Sequence, residues 1–241
     1  MLDHVKIENV LFLDIETVPQ YPDFENVPKS FQEFWEKKSS YFRETDQSAA
    51  DVYQRAGIYS EFGKIICISV GIVVKRNNER FFRIKSFYND DEKIILEDFS
   101  GMLKKYHGSN KDIQLCAHNG KEFDFPYIAR RMLINGIKIP AILDVAGKKP
   151  WEVMFLDTME LWKFGDYKNY TSLNLLTHVF NIPTPKDDID GSMVADVYWN
   201  NKDLPRIVKY CEKDVIAIAQ VLLKYKGENL INPENIESTT G

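Results

Sequence analysis

Cysteine, long apolar runs and excess positive charge are all scarce in this sequence. Its three cysteines, Cys67, Cys116 and Cys211, have no C-x-x-C spacing and sit among apolar residues. This pattern argues against a disulfide framework and a thiolate zinc site, and it fits a reducing cytoplasm. No run approaches the ~20 apolar residues that span a bilayer, and the charged N-terminus is unlike a signal peptide. We therefore expect a cytoplasmic protein with no membrane segment.

The charge balance limits the possible partners. A formal net charge of −5 gives a whole-molecule field that does not attract a polyanion. If the partner is nucleic acid, divalent cations and local basic clusters must supply the attraction. The candidate phosphate contacts are Lys121, Arg130, Arg131 and Lys186, although a solvated charge is the commoner role for each.

The first candidate site follows an apolar run. Val10-Leu11-Phe12-Leu13 predicts a buried strand, and Asp14 and Glu16 appear where that strand should end. Period-2 geometry places both carboxylates on one side of the strand. Like charges this close repel, so a fold tolerates them chiefly around a cation. The alternative is a pair of solvated acids in a loop, and a D-x-E triplet alone favours that alternative.

The remaining chain alternates between strand and helix patterns. These patterns predict an α/β domain with a mixed five-stranded sheet flanked by helices. We expect a single domain over residues 1–227 and a loose polar tail over 228–241. A helical insertion over about 21–59, including a helix at 47–56, is rich in aromatics. Packing onto the core is the favoured role for these aromatics, and a flap that stacks bases is the alternative.

The second candidate site comes after another short apolar strand. Asn119-Gly120 is a hairpin signal, but a helix pattern follows, so we reject the hairpin. Asp124 then lies at the N-terminal turn of that helix, just before Phe125-Pro126. A helix N-cap is one role for Asp124, and a metal or water contact is compatible with it.

The third candidate site lies on the last long helix. Tyr210 and Asp214 are spaced i, i+4, so their side chains project side by side from the flank of its apolar face. An Asp beside an apolar stripe needs a partner or a metal. The alternative is that Asp214 reaches water and Tyr210 is an ordinary core residue.

Taken together, these segments resemble the DEDD superfamily of 3′–5′ exonucleases, which have an RNase H-like fold. The matching motifs are Asp14-Ile15-Glu16-Thr17, Asn119 to Asp124 and Tyr210-Cys211-Glu212-Lys213-Asp214. Tyr210 places the chain in the tyrosine-bearing (DEDDy) branch. The second motif looks most like the exonuclease domain of family B DNA polymerases. The third motif, with Pro185-Lys186 and Asp190-Gly191-Ser192, is similar to a stand-alone group of predicted polymerase-B-like exonucleases. The resemblance covers roughly residues 8 to 225.

The resemblance implies a hard oxygen site for two Mg²⁺ or Mn²⁺ ions, with Asp14 bridging them. Asp14, Glu16, Asp124 and Asp214 would be the ligands, and Tyr210 would position the attacking water. Candidate substrate contacts are Thr17, Asn119 and Phe123. A plain turn role is the alternative for Thr17 and Asn119, and anchoring the turn in the core is the favoured role of Phe123. We expect His118 to be structural, and Asp157 either to be structural or to support the metal ligands from behind.

The expected function is a metal-dependent 3′–5′ exonuclease that acts on the 3′ end of single-stranded DNA and releases 5′-mononucleotides. The runner-up is an RNA-trimming exonuclease. From another class, the chain could be an inactive nucleic-acid-binding module, although intact carboxylates facing phosphate argue against that. The sequence does not fix the oligomeric state.

Overall fold

A six-stranded sheet forms the centre of the protein. The computed structural model describes residues 1–77, 79–166, 168–183 and 189–240. Within these residues the strands are β1 (Val10–Pro19), β2 (Gly63–Arg76), β3 (Glu79–Tyr88), β4 (Gln114–Ala117), β5 (Leu156–Asp157) and β6 (Ile236–Ser238). Their order across the sheet is β5-β4-β1-β2-β3-β6. β1, β2 and β3 form an antiparallel meander, β4 and β5 continue parallel to β1, and β6 is parallel to β3.

Helices cover both faces of this sheet. The helices of the described residues are α1 (Lys29–Ser39), which lies in the insertion, and α2 (Glu92–Ser109), α3 (Asp124–Ile134), α4 (Thr158–Lys163), α5 (Leu173–Val179), α6 (Val194–Trp199) and α7 (Leu204–Lys226). Because side chains alternate along β1, Leu11 and Leu13 pack with α2 and α3, whereas Val10 and Phe12 pack under α7. The predicted mixed α/β class is confirmed. No helix in the described part of the chain has the length and apolarity needed to cross a bilayer.

The predictions of five strands and of a loose tail are wrong. β6 comes from the tail, where it pairs with β3, and Thr239 N–H donates to Ile84 O at 2.8 Å. Ile231 is buried, and its backbone N–H and C=O both bond to the Gln220 side chain. A three-residue strand carries too little periodicity to be read from sequence, and its partner is more than 140 residues away.

The insertion folds around a small core of its own. Trp35 is fully buried there, and its Nε1–H donates to Ala49 O at 2.9 Å. The predicted helix at 47–56 is wrong: only a 3-10 turn, Tyr53–Ile58, forms. The Asp51 carboxylate accepts from the Ser48 N–H and hydroxyl at 2.8 and 2.7 Å, which holds a local turn that competes with an α-helix.

A buried ion pair joins the insertion to the main body. Arg131 Nη2 lies 2.5 Å from Glu92 Oε2, and both side chains are almost inaccessible to solvent. Arg131 also donates to Ser60 O at 2.9 Å, and Glu92 accepts from Ile65 N–H at 2.7 Å. The pair therefore links α3, α2, the end of the insertion and the start of β2. The Arg131 guanidinium is buried in these contacts, so the prediction that Arg131 could contact a phosphate is wrong.

Candidate active site

The acids of the first motif lie within β1, beyond the end of a neighbouring strand. β4 pairs with β1 only as far as Phe12, whereas β2 continues to Pro19. The prediction that β1 ends at these acids is therefore wrong, because its partner β2 is long enough to extend it. On the β4 side, however, β1 has a free edge from Leu13 onward. The β1–β2 register shifts between Glu16 and Thr17, an irregularity common beside active sites.

Helix α7 covers the face on which the two acids lie. Asp203 caps this helix by accepting the Arg206 N–H at 3.2 Å, and Pro205 occupies its first turn. Asp14 and Glu16 are on the same side of β1 as Phe12, whose neighbours belong to α7. α7 contacts β1 directly here, since Cys211 Sγ lies 3.4 Å from Asp14 Oδ2. Tyr210 and Asp214 are on the same turns of α7.

The second motif reaches the free edge of β1 through a tight turn. Asn119 has a left-handed φ of 61°, which Asn tolerates better than most residues. Asp157 holds the turn by accepting the N–H groups of Asn119 and Lys121 at 2.9 and 3.0 Å. α3 then begins at Asp124, whose carboxylate accepts the backbone N–H of Ile15. Because β4 stops pairing with β1 at Phe12, the Ile15 N–H is available to the Asp124 carboxylate. This hydrogen bond holds Asp124 beside β1.

The four acids are close enough to perturb one another. Burial raises the pKa of Asp14 well above its usual value, and the charges of Asp124, Glu16 and Asp214 raise it further. Glu16 shows the same direction of pKa shift, caused first by burial and then by the Asp214 charge. Burial also raises the pKa of Asp124 to about 7, although hydrogen bonds from its own N–H and from that of Ile15 oppose the shift. The structure therefore brings together carboxylates from β1, α3 and α7.

Cys211 belongs to this cluster, which the sequence reasoning missed. Ligand atoms of Asp14, Glu16 and Cys211 lie within 4.8 Å of one another. Burial raises the pKa of Cys211 well above its usual value, so the thiol stays protonated and donates to Asp14 Oδ2 and to Asp14 O. Cys211 has the apolar neighbours that were expected, including Val208, but it also contacts the Asp14 carboxylate. Its i, i+3 spacing from Asp214 was the available signal.

This contact predicts that Cys211 orients the Asp14 carboxylate. The resemblance implies that Asp14 is a metal ligand, and on that expectation Cys211→Ala weakens Mn²⁺ binding by about tenfold, because donors behind a ligand typically contribute 10–100-fold to metal affinity. Cys211→Ser, which retains a donor, should bind within about threefold of wild type. Titration calorimetry with Mn²⁺ measures both, and Cys116→Ala serves as a buried-cysteine control. Equal losses in the Ala and Ser variants would contradict the hydrogen-bonding role.

Two of the three predicted substrate contacts, Thr17 and Phe123, are next in sequence to candidate metal ligands. Thr17 is half-buried, and its hydroxyl interacts with that of Tyr127. The Asn119 carboxamide oxygen is buried and has no hydrogen-bond partner among the described residues. The Phe123 ring is half-buried, lies 5.3 Å from the Tyr127 ring and packs against the core. Asn119 is thus the one of these three side chains with an unused buried acceptor.

Tyr210 lies beside the acids as a neutral phenol. Its hydroxyl forms a hydrogen bond with Asp214. Burial raises the Tyr210 pKa far above its usual value, and the negative charges of Asp214, Glu16 and Asp14 add to the shift. This pKa direction disfavours a tyrosinate, so the group suits donation or alignment and not proton removal.

The other predicted polar residues have mostly structural contacts. The two ring nitrogens of His118 bond to Thr158 Oγ1 and Thr171 O at 2.8 and 3.0 Å. Asp157 also caps α4 through the Met159 and Glu160 N–H groups. Among the candidate phosphate contacts, Lys121 is ion-paired with Glu160 at 2.5 Å, and Arg130 is exposed. Lys186, like Pro185, lies outside the described residues.

A family match covers most of the chain. Residues 58–233 match a family described as predicted 3′–5′ exonucleases related to the exonuclease domain of PolB. The chain belongs to this family. The matched range contains Asp124, Tyr210 and Asp214, whereas Asp14 and Glu16 precede it. For Asp14 and Glu16 the support is structural: both lie on the side of β1 that α7 covers.

Polymerases are among the similar proteins. A DNA polymerase of Pyrococcus glycovorans is 25% identical over 125 residues, which cover 46% of this chain and 16% of the polymerase. The solved family B DNA polymerase of the archaeon Pyrobaculum calidifontis matches 90% of this chain with a TM-score of 0.51 and 16% identity. This chain spans 24% of that structure. The structural match shows an RNase H-like fold of the polymerase exonuclease-domain type.

Proposed function

We propose that this protein is a 3′–5′ exonuclease that hydrolyses the terminal phosphodiester of single-stranded DNA and releases 5′-mononucleotides. The observation that carries the proposal is the convergence of Asp14, Glu16, Asp124 and Asp214 at the free edge of β1. Membership of a family of predicted exonucleases gives the reaction class. The preference for DNA rests on the likeness to family B polymerases.

The donor set fits divalent cations. Buried carboxylates that raise one another's pKa are stabilised when positive charge lies between them. Carboxylate oxygens suit Mg²⁺ or Mn²⁺, and the protonated Cys211 thiol does not favour a thiolate-bound zinc. Burial raises the pKa of Asp14 and the charges of all three other acids raise it further, which fits the role that the resemblance implies for it, a ligand shared by two ions. Bound ions would activate water for attack and stabilise the leaving 3′ oxygen.

The chain's own groups would orient the substrate and the water. Asn119 offers a buried carboxamide oxygen that can accept from the penultimate nucleotide, and Thr17, the residue after Glu16, would donate to the terminal 3′-OH. Tyr210 would align the attacking water through its hydroxyl while Asp214 holds the phenol in place. Because its pKa is raised, Tyr210 is neutral at physiological pH and does not act as the base.

One assay tests the proposal and separates its rivals. Single-stranded DNA and RNA labelled near the 5′ end are incubated with the protein and Mn²⁺, and the products are resolved by length over time. We expect DNA to shorten stepwise from its 3′ end with release of 5′-mononucleotides, and Asp14→Ala to abolish the ladder. Faster RNA shortening would indicate the RNA-trimming alternative. Binding without shortening would overturn the proposal in favour of a binding module.

The role assigned to Tyr210 makes a separate prediction. Tyr210→Phe should lower kcat by about 10–100-fold, because one positioning hydrogen bond is lost while the ions remain bound. The pH–rate profile should keep its shape between about pH 7 and about pH 10, since a neutral phenol does not titrate there. Loss of a titration step in Tyr210→Phe would contradict this role and identify the phenol as a base.

A further inference from the structure

The outer face of α1 carries aromatic and basic side chains that the fold leaves in solvent. Phe31, Phe34 and Tyr41 are 36%, 62% and 79% exposed, and Lys37 and Lys38 lie between them. These five residues, here called the α1 face, line one side of an open groove of about 460 Å³. Positions 34, 37 and 38 have the i, i+3, i+4 spacing of one face of α1, and Tyr41 lies in the turn just after this helix.

The exposed side chains of Phe34 and Tyr41 do not form the core of the insertion. The opposite side of α1 supplies the packing, through the fully buried Trp35. Trp35 is surrounded by its own aromatic contacts, with the Phe62 and Tyr53 rings at 5.3 and 5.8 Å. The Phe31 ring packs edge-on against the Phe62 ring, with the ring centroids 5.6 Å apart, and is held in place at the groove. The side chains of Phe34 and Tyr41 are largely exposed. Exposed apolar side chains grouped on one surface are typical of binding sites.

The chemistry of the α1 face suits an unpaired nucleic-acid strand. Surfaces that bind single strands combine aromatic rings for base stacking with basic side chains for the backbone. Glu36 on the same helix is neutralised by Arg43 at 3.0 Å. Glu61 also lines the groove and opposes phosphate, so Lys37 and Lys38 mark the side on which a backbone would run.

The groove is also joined to the carboxylate site through β1. Phe62 O accepts the N–H of Gln20, the residue that follows the last residue of β1, at 3.0 Å. Gln20 is four residues beyond Glu16, a separation of roughly 13 Å along an extended strand. That distance corresponds to about four stacked nucleotides at about 3.4 Å each.

We infer that the α1 face binds the single strand several nucleotides upstream of the 3′ end, with bases stacked on Phe34 and Tyr41 and phosphates near Lys37 and Lys38. The inference rests on the proposed exonuclease function and assigns the insertion to substrate binding. It predicts a length threshold: strands shorter than about four nucleotides do not reach the face, and longer strands gain affinity from it.

The test uses Phe34→Ala/Tyr41→Ala, two exposed positions whose truncation spares the core. On single-stranded DNA of about 20 nucleotides, KM should rise at least about tenfold, because each base–aromatic contact is worth roughly 5–150-fold in affinity. We expect kcat to be unchanged, and KM for a trinucleotide to be unchanged. Trp151→Ala is the matched control, since Trp151 is 74% exposed and precedes the start of β5, whereas the acids lie beyond the carboxyl ends of the parallel strands β4 and β5.

A binding arm separates this inference from the exonuclease proposal. The same long strand carries a fluorophore, and its Kd is measured by anisotropy in EDTA. Cleavage by wild type with equal KM and Kd in the double variant would overturn the α1 face while leaving the exonuclease standing. Weakened binding by the double variant without cleavage by wild type would support the face and reject the exonuclease. A change in sedimentation with unchanged Kd would show self-association and also overturn the inference.

Discussion

Asp14→Asn is expected to abolish nuclease activity while making the ion-free protein more stable. The loss should be at least about 10³-fold in kcat, because ion-dependent stabilisation of the reacting phosphate is worth several kcal/mol and each 1.36 kcal/mol is tenfold in rate. The gain in stability arises because burial and three neighbouring acids raise the pKa of Asp14. An amide of the same shape removes that unfavourable charge.

The stability gain should depend on pH in a defined direction. A carboxyl whose folded pKa is raised loses its stabilising contribution as pH rises from its unfolded pKa, near 4, through its folded pKa. The melting temperature of Asp14→Asn should therefore exceed that of wild type more at about pH 8 than at about pH 5 in EDTA. Mn²⁺ should raise the wild-type melting temperature and leave the variant nearly unchanged.

Thermal melts of both proteins at the two pH values measure this effect. Asp112→Asn is the control, since Asp112 is exposed and precedes the start of β4, whereas the acids lie beyond the carboxyl end of that strand. A variant that is less stable than wild type at about pH 8 without ions would show that Asp14 is not held in a cluster of repelling charges.

Arg131→Met is expected to have the largest effect on stability away from the acids. The substitution leaves the Glu92 carboxylate buried without its cation and leaves Ser60 O without its donor. Breaking a buried ion pair in this way destabilises by about 3–5 kcal/mol. Because the pair also links α3 to the insertion, part of the activity on long strands should be lost as well.

Urea denaturation measures the change in the free energy of unfolding. The double variant Arg131→Met/Glu92→Gln should regain a substantial part of it, since Gln removes the unpaired charge and can still accept the Ile65 N–H. Arg130→Met, at the exposed neighbouring position, should change the free energy of unfolding by less than about 0.5 kcal/mol. A change that small in Arg131→Met itself would contradict the anchoring role.

Much of the architecture was accessible from sequence because its signals are local. The apolar run of β1, the cap and proline at the start of α7 and the i, i+4 pair Tyr210 and Asp214 each reflect short-range geometry. Alternation placed Asp14 and Glu16 on one side, and α7 covers that side. The structural class followed from those features, whereas the meeting of the acids was implied by the resemblance to the DEDD exonucleases.

The features that sequence did not reveal depend on distant partners. β6 forms only because the edge of β3 is available, and β1 continues past its acids only because β2 is long. From sequence alone Arg131 resembles a surface cation, because its buried partner Glu92 lies on a different helix, α2. From sequence alone Cys211 resembles an ordinary core thiol, because its contact with Asp14 at 3.4 Å joins two distant segments of the chain. Tertiary contacts decide each of these cases, and local patterns do not encode them.

The central claim is that acids from β1, α3 and α7 share bound divalent ions. Equilibrium Mn²⁺ binding to wild type, Asp14→Asn, Asp124→Asn and Asp214→Asn tests it most directly. We predict that every one of the three substitutions weakens Mn²⁺ binding by at least about tenfold, because each removes a charged ligand of the same site. Wild-type affinity in Asp124→Asn or Asp214→Asn would contradict a site assembled from all three segments.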